Sequence, residues 1–217
     1  MDVNKRIFSF GTSSRNPGFI VVSMFTLDTP YEAEAEALRD SLLKHDVPFI
    51  IYGYDSLGSW RANCNAGIKI TLEAMREIPD HNIARIDADA VVHSFPDLFD
   101  TIDCDIAAYK RLNSAAYIHK HKCEKGYHWE TGTLFYRNCP EVQAFLLNQI
   151  RIMDDVKAGV STESYLANDL FETCGLRLAE LPASYSLIIG TDQPEEIGIK
   201  PVISHKLHGY KYKKVIR

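Results

Sequence analysis

The sequence predicts an α/β fold: a central sheet with helices packed on both faces. Three observations predict it. Three short apolar runs lie between Gly18 and Ile86, two stretches of helical periodicity separate them, and the last run ends on Asp87-Ala88-Asp89. Strands that alternate with helices imply parallel pairing, and ligands of such sheets bind at the carboxyl ends of the strands.

Residues 1–17 read as a polar lead-in, with Gly11-Thr12-Ser13-Ser14 as loop. Gly18 to Thr26 (GFIVVSMFT) is continuously apolar and rich in β-branched residues, as suits a strand buried on both faces. A helix start follows, with Thr29 as N-cap, Pro30 at the first helical position and Glu32 completing a capping box. Tyr31, Ala35, Leu38 and Leu42 then repeat at helical spacing, and Lys44 and His45 close the helix where its dipole favours cations. Phe49 to Tyr52 is the second strand, Gly53 to Ser59 a loop, and Ala62 to Ile78 a helix with Ile68, Leu72 and Met75 on one face. Ile83 to Ile86 is the third strand.

Beyond Asp89 the pattern is mixed. Asp105–Tyr109, Gly132–Arg137, Leu176–Glu180 and Pro201–Ser204 read as strands, Pro140–Asp154 and Thr162–Glu172 as helices. Residues 110–128 have no clear period and are rich in Lys, His and Tyr. They read as a long functional loop or lid.

The chain of 217 residues suits one domain, 1–217. Its 46% hydrophobic and 24% charged content is ordinary for a soluble globular protein. A formal charge of -5 argues against a general nucleic-acid binder, though not against a local basic pocket for phosphate. The five cysteines show no CxxC pairing and read as free thiols of a reducing compartment. The first ten residues are too polar for a secretory signal and no run approaches a membrane span, so a cytoplasmic location is expected.

Asp87 and Asp89 stand two residues apart at a strand end, where a turn lets both carboxylates converge on one cation. Mg²⁺ and Mn²⁺ favour oxygen ligands and often take one or two carboxylates plus substrate phosphates. Such an ion reverses the repulsion between two carboxylates and a diphosphate, and stabilises charge on a departing nucleoside diphosphate. The plain alternative is a pair of turn or cap residues. The apolar strand before the pair, and the small Ala88 inside it, favour the site.

The segment Arg85-Ile86-Asp87-Ala88-Asp89-Ala90-Val91-Val92, followed by Phe95-Pro96-Asp97-Leu98-Phe99, resembles the Asp-x-Asp segment of GT-A-fold glycosyltransferases. Ser59-Trp60 with Asn63, Cys64 and Lys69 is similar to the stretch before that motif in small nucleotide-diphospho-sugar transferases of the family 8-like type. Glu130-Thr131-Gly132-Thr133-Leu134-Phe135 with Asn138 is similar to their acceptor-side strand, and Val202-Ile203-Ser204-His205 to their C-terminal metal-binding histidine segment. The likeness runs from about Gly18 to Lys213 in the expected order.

The resemblance implies a GT-A, Rossmann-like single domain with a mixed central sheet. It implies a metal-dependent transferase, with Mn²⁺ or Mg²⁺ and a nucleotide-sugar donor, UDP-sugar foremost, acting on a glycan, lipid or protein acceptor. Asp87, Asp89 and His205 would hold the metal, with His208 as the alternative histidine. Thr26, Trp60, Asn63, Lys69, Ala88 and Lys211 would bind the nucleotide, and Asp105, Glu130 and Gly132 the sugars. Related enzymes often carry Asp-Gln where this chain has Thr162-Glu163, so Glu130, Glu163 and Asp169 are the carboxylates to weigh as catalytic groups. An inverting enzyme needs one of them as base and a retaining enzyme none; the resemblance leans towards retention.

His119, His121, Cys123 and His128 match no standard zinc spacing and are interleaved with Lys, as suits a basic acceptor loop. The rival enzyme reading is a haloacid-dehalogenase-type phosphatase, which places Asp-x-Asp on its first strand with the first Asp as nucleophile. A non-catalytic binder of nucleotide sugars or glycans is the rival from another class. A nucleotidyltransferase would want a Gly-rich, basic loop where Thr26-Leu27-Asp28-Thr29-Pro30 stands.

Overall fold

The computed structural model describes residues 3–113, 125–155, 169–189 and 198–206. In chain order the elements are β1 (Lys5–Gly11), β2 (Phe19–Thr26), α1 (Tyr31–Lys44), β3 (Phe49–Tyr54), α2 (Trp60–Glu77), β4 (Asn82–Ile86), β5 (Ala90–Val92) and α3 (Leu98–Thr101). Then follow β6 (Ile106–Leu112), β7 (Tyr127–Tyr136), α4 (Pro140–Asp155), β8 (Leu178–Glu180), a 3-10 turn (Ala183–Tyr185), β9 (Leu187–Ile188) and β10 (Ile203–His205).

Seven strands form the main sheet in the order β1-β3-β2-β4-β7-β6-β8. β2 is parallel to both β3 and β4, whereas β7 runs antiparallel to β4 and β6, so the sheet is mixed. A second sheet of three short strands, β5-β10-β9, lies over one face. The two hydrophobic clusters divide by face. Phe19, Val21 and Ala84 pack with Leu38 and Leu42 of α1, and with Val92, Phe99 and Ile203. Val22 and Ile83 pack on the other face with Ile68 and Met75 of α2 and Leu146 of α4. Burial on both faces is why β2 and β4 read as unbroken apolar runs.

β3 and β4 flank β2 on opposite sides, so α1 and α2 cross on opposite faces. The crevice between their starting points opens at the carboxyl ends of β2 and β4. α1 starts one residue later than the capping box Thr29–Glu32 places it: Pro30 stands at the N-cap position without a side-chain cap, and the Thr29 hydroxyl braces the turn before it, accepting from Tyr31 N at 3.3 Å and donating to Thr26 O at 2.6 Å. Ser59 caps α2 through Ala62 N at 3.2 Å.

Two further expectations need correction. The lead-in before Gly18 contains β1, an edge strand antiparallel to β3. On the α1 face the Phe8 ring lies edge-on to Phe25 at 4.9 Å, and on the α2 face Lys5 lies over the Tyr52 ring at 4.2 Å, while Ile7 and Phe10 stay exposed. The expected loop 110–128 is shorter, because Lys110–Leu112 continue β6 and Tyr127–His128 begin β7. Residues 114–124 lie outside the described part, as do His119, His121 and Cys123. So do residues 162–168 of the helix expected to end at Glu172. The remaining four cysteines are free thiols. Among the described residues no helix is long and apolar enough to cross a membrane.

Candidate active site

The chain leaves β4 at Ile86 and turns sharply through Asp87-Ala88-Asp89 into β5. The Asp87 carbonyl accepts from Ala90 N at 3.1 Å, and Asp87 N donates to Gly132 O at 2.8 Å, which ties the turn to β7. Ala88 points into the core beside Ala90, so its small size serves to let the chain turn tightly there. The carboxylates on either side are thereby fixed at the crevice.

β10 brings the third partner. It pairs with β5 so that His205 lies opposite Ala90, and Lys206 N donates to Asp89 O at 3.2 Å. His205 is 3% exposed, and its Nδ1 stands 3.8 Å from Asp89 Oδ1 with no hydrogen-bond partner among the described residues. Its Nε2 is bonded to the Thr133 hydroxyl at 2.8 Å. With Nε2 protonated and donating to Thr133, Nδ1 keeps its lone pair turned towards Asp89. The imidazole also lies against Gly132, where a Cβ would meet the ring at 3.1 to 3.4 Å.

These contacts suit a divalent cation. Two ligand atoms on one octahedral ion lie about 3 Å apart when adjacent and roughly 4.2 Å apart when opposite. The Asp89–His205 distance falls between those limits. Among the described residues no three acidic, His or Cys side chains are already gathered around one point.

Asp87 differs from Asp89. Its side chain keeps 46% of its surface, and Arg85 Nη2 stands 3.2 Å from Oδ1. Loss of surrounding water in the crevice pushes its pKa up, and neighbouring Asp89 adds to this, while the Arg85 guanidinium acts the other way.

The residues expected to bind the nucleotide gather around the ends of β2 and β3. Thr26 is buried there. Asn63 Oδ1 accepts from Leu57 N at 2.8 Å, and its carbonyl accepts from the Tyr54 hydroxyl at 2.7 Å, so Asn63 fixes the loop entering α2. Burial pushes the Tyr54 hydroxyl up to about 12 and keeps it a donor. Trp60 is half-buried at the first residue of α2.

On β7, Glu130 accepts from Arg111 Nη1 at 3.1 Å and pairs with His128 Nε2 at 3.1 Å; His128 Nδ1 in turn bonds to Asn113. Burial alone would raise the Glu130 pKa. The hydrogen bond and charge of His128, with Arg111, outweigh it and hold the carboxyl below its usual range.

Three expected site residues are placed elsewhere. Ile106 is level with Tyr136 and Ile83, at the end of the sheet opposite Ile86. Asp105 is therefore about 16 Å from the crevice along the strands. It pairs with Arg177 Nη2 at 2.9 Å instead of lining a sugar pocket. Lys69, two and a half turns into α2, pairs with Asp154 at 3.0 Å. Asp169 is exposed near Lys125, whose partners Tyr127 and Glu172 belong to the face of β7 opposite Glu130. Glu163, His208 and Lys211 lie outside the described residues. Sequence reasoning missed Thr133 and Arg85. The signals were a Thr-Gly-Thr step inside an apolar strand, and an Arg two residues before the first carboxylate.

The architecture has solved counterparts. It matches a glycosyltransferase involved in glycosylation of the major capsid of PBCV-1 with a TM-score of 0.64, over 92% of this chain and 99% of that one, at 15% identity. It matches the galactosyltransferase LgtC, solved with donor and acceptor sugar analogues, at 0.54, over 86% of each chain and 14% identity. Mouse xyloside xylosyltransferase 1 matches at 0.52, over 86% of this chain and 97% of that one, at 13% identity. No protein-family model and no curated protein sequence matches the chain. The chain has the GT-A fold.

Proposed function

We propose that the protein is a metal-dependent glycosyltransferase that moves a sugar from a nucleoside-diphosphate donor, a UDP-sugar foremost, to a glycan, lipid or protein acceptor. The observation that carries this reading is the partnerless Nδ1 of buried His205 facing Asp89, beside Asp87, in a GT-A fold. Asp87, Asp89 and His205 would hold Mn²⁺ or Mg²⁺. When bound, the ion neutralises the diphosphate and stabilises it as leaving group.

The chain's own residues divide the remaining work. Thr26 and Trp60 face the nucleotide, and Asn63 fixes the loop beside it. Lys211, further along the chain from His205, would add a cation for the diphosphate. Gly132 and Glu130 would line the sugar pocket. In the transfer the bond from sugar C1 to the diphosphate oxygen breaks, the acceptor oxygen bonds to C1, and the acceptor proton leaves. Glu130, held ionised by His128 and Arg111, is a weak base and a good hydrogen-bond acceptor for sugar hydroxyls. That supports a retaining outcome, with the departing diphosphate oxygen receiving the proton. Glu163 is the remaining carboxylate to test as base if the outcome is inversion.

The phosphatase alternative expects the motif on the first strand of its sheet, whereas Asp87 follows the fourth strand of this chain. The test is release of nucleoside diphosphate from a panel of nucleotide sugars with Mn²⁺, beside a generic phosphate ester. Turnover of a nucleotide sugar that Asp89→Asn abolishes is the expected result. Phosphate release from the ester with no sugar-nucleotide turnover would reject the reading.

A further inference from the structure

Arg85 is 5% exposed on β4, two residues before Asp87, so both side chains lie on the same sheet face. A guanidinium this deep is costly to desolvate and persists only with partners. Its Nη2 reaches Asp87 Oδ1 at 3.2 Å, and the buried Tyr136 side chain lies close to it. The two carboxylates of the site are therefore unequal. Asp89 faces the partnerless nitrogen of His205, whereas one oxygen of Asp87 is already engaged by a fixed cation.

We propose that Arg85 is a positioning residue that orients Asp87 and offsets its charge, tuning the crevice for a cation–diphosphate pair over the cation alone. This rests on the metal-site reading given above. Among the described residues, Asp87, Asp89 and Arg85 together contribute a formal charge of -1 to the crevice. Such a crevice attracts a free divalent ion weakly and repels a diphosphate weakly, so the two bind best together. Without the guanidinium the charge becomes -2: the cation gains and the anion loses. A unit charge several ångströms away across a partly hydrated crevice changes either affinity by about tenfold.

Arg85→Gln keeps a hydrogen-bond donor and removes the charge; Arg85→Lys keeps the charge. Asp87 is open to water, so neither variant leaves a sealed, unpaired carboxylate. The experiment measures Mn²⁺ binding to nucleotide-free protein by water-proton relaxation, and UDP binding at saturating Mn²⁺ by calorimetry. For Arg85→Gln we expect Mn²⁺ to bind about tenfold tighter and UDP about tenfold weaker, with Arg85→Lys within about threefold of wild type in both. Structural damage would weaken both ligands together, and that result, or no shift in either, overturns the proposal. Arg85→Lys behaving like Arg85→Gln also overturns it, since charge would then not be the cause. Wild-type protein that binds neither ligand rejects the transferase reading itself, and the Arg85 proposal with it.

Discussion

His205 turns Nδ1 towards Asp89 at 3.8 Å while Thr133 holds its Nε2 at 2.8 Å. One ring nitrogen is thus fixed by the sheet and the other is left facing a buried carboxylate. Asp89 lies in the turn after β4, Thr133 in β7 and His205 in β10, and only the fold brings them together. A metal-binding imidazole is commonly oriented through its second nitrogen in this way.

Thr133→Val therefore weakens Mn²⁺ binding by about 10- to 100-fold without touching a ligand. The variant also loses about 1–3 kcal/mol of stability, because Nε2 is left buried without a partner. A manganese titration of the variant, paired with denaturant unfolding, checks both effects. Unchanged affinity would mean that Thr133 does not orient the ring.

Gly132→Ala acts on the same ring from below. The added methyl meets the imidazole at 3.1 to 3.4 Å, so the ring must move by a few tenths of an ångström. We expect about tenfold weaker Mn²⁺ binding with a stability loss of about 1 kcal/mol. Calorimetry with Mn²⁺ and a thermal melt measure the two effects.

A third prediction concerns pH. Lys125, at 2.8 Å, and the Tyr127 hydroxyl, at 2.6 Å, hold the Glu172 carboxyl down to about 2 from 4.5, with Trp129 adding to them. A depressed folded pKa gives stability that is whole above the unfolded value and lost as pH falls from about 4.5 towards 2. Because the group is largely exposed, its contribution is about 1 kcal/mol. Glu172→Gln should cost that much at neutral pH, and the gap from wild type should close as pH drops through that window. Unfolding curves at several pH values measure it, and a gap independent of pH would contradict it.

The sequence made the centre of the sheet legible because β2 and β4 are covered on both faces, which writes burial directly into composition. It made Asp87 and Asp89 legible because a charged pair interrupts such a run. β1 was hidden for the opposite reason. It is an edge strand whose contacts on the two faces are one phenylalanine and a lysine over a ring, so its pattern looks like a polar lead-in. Asp105 was misjudged because nothing local tells which end of the sheet β6 starts from; the register with β7 decides it. Thr133 was missed because its partner lies 72 residues away.

Asp87, Asp89 and His205 are proposed to form a cation site that recruits a nucleoside diphosphate. Calorimetry of UDP binding, with Mn²⁺ and then with EDTA, tests it most directly. The prediction is clear binding with Mn²⁺ and a loss of at least about 100-fold in EDTA, with Asp89→Asn resembling the EDTA state while remaining folded. Equal UDP binding with and without the metal would contradict the account.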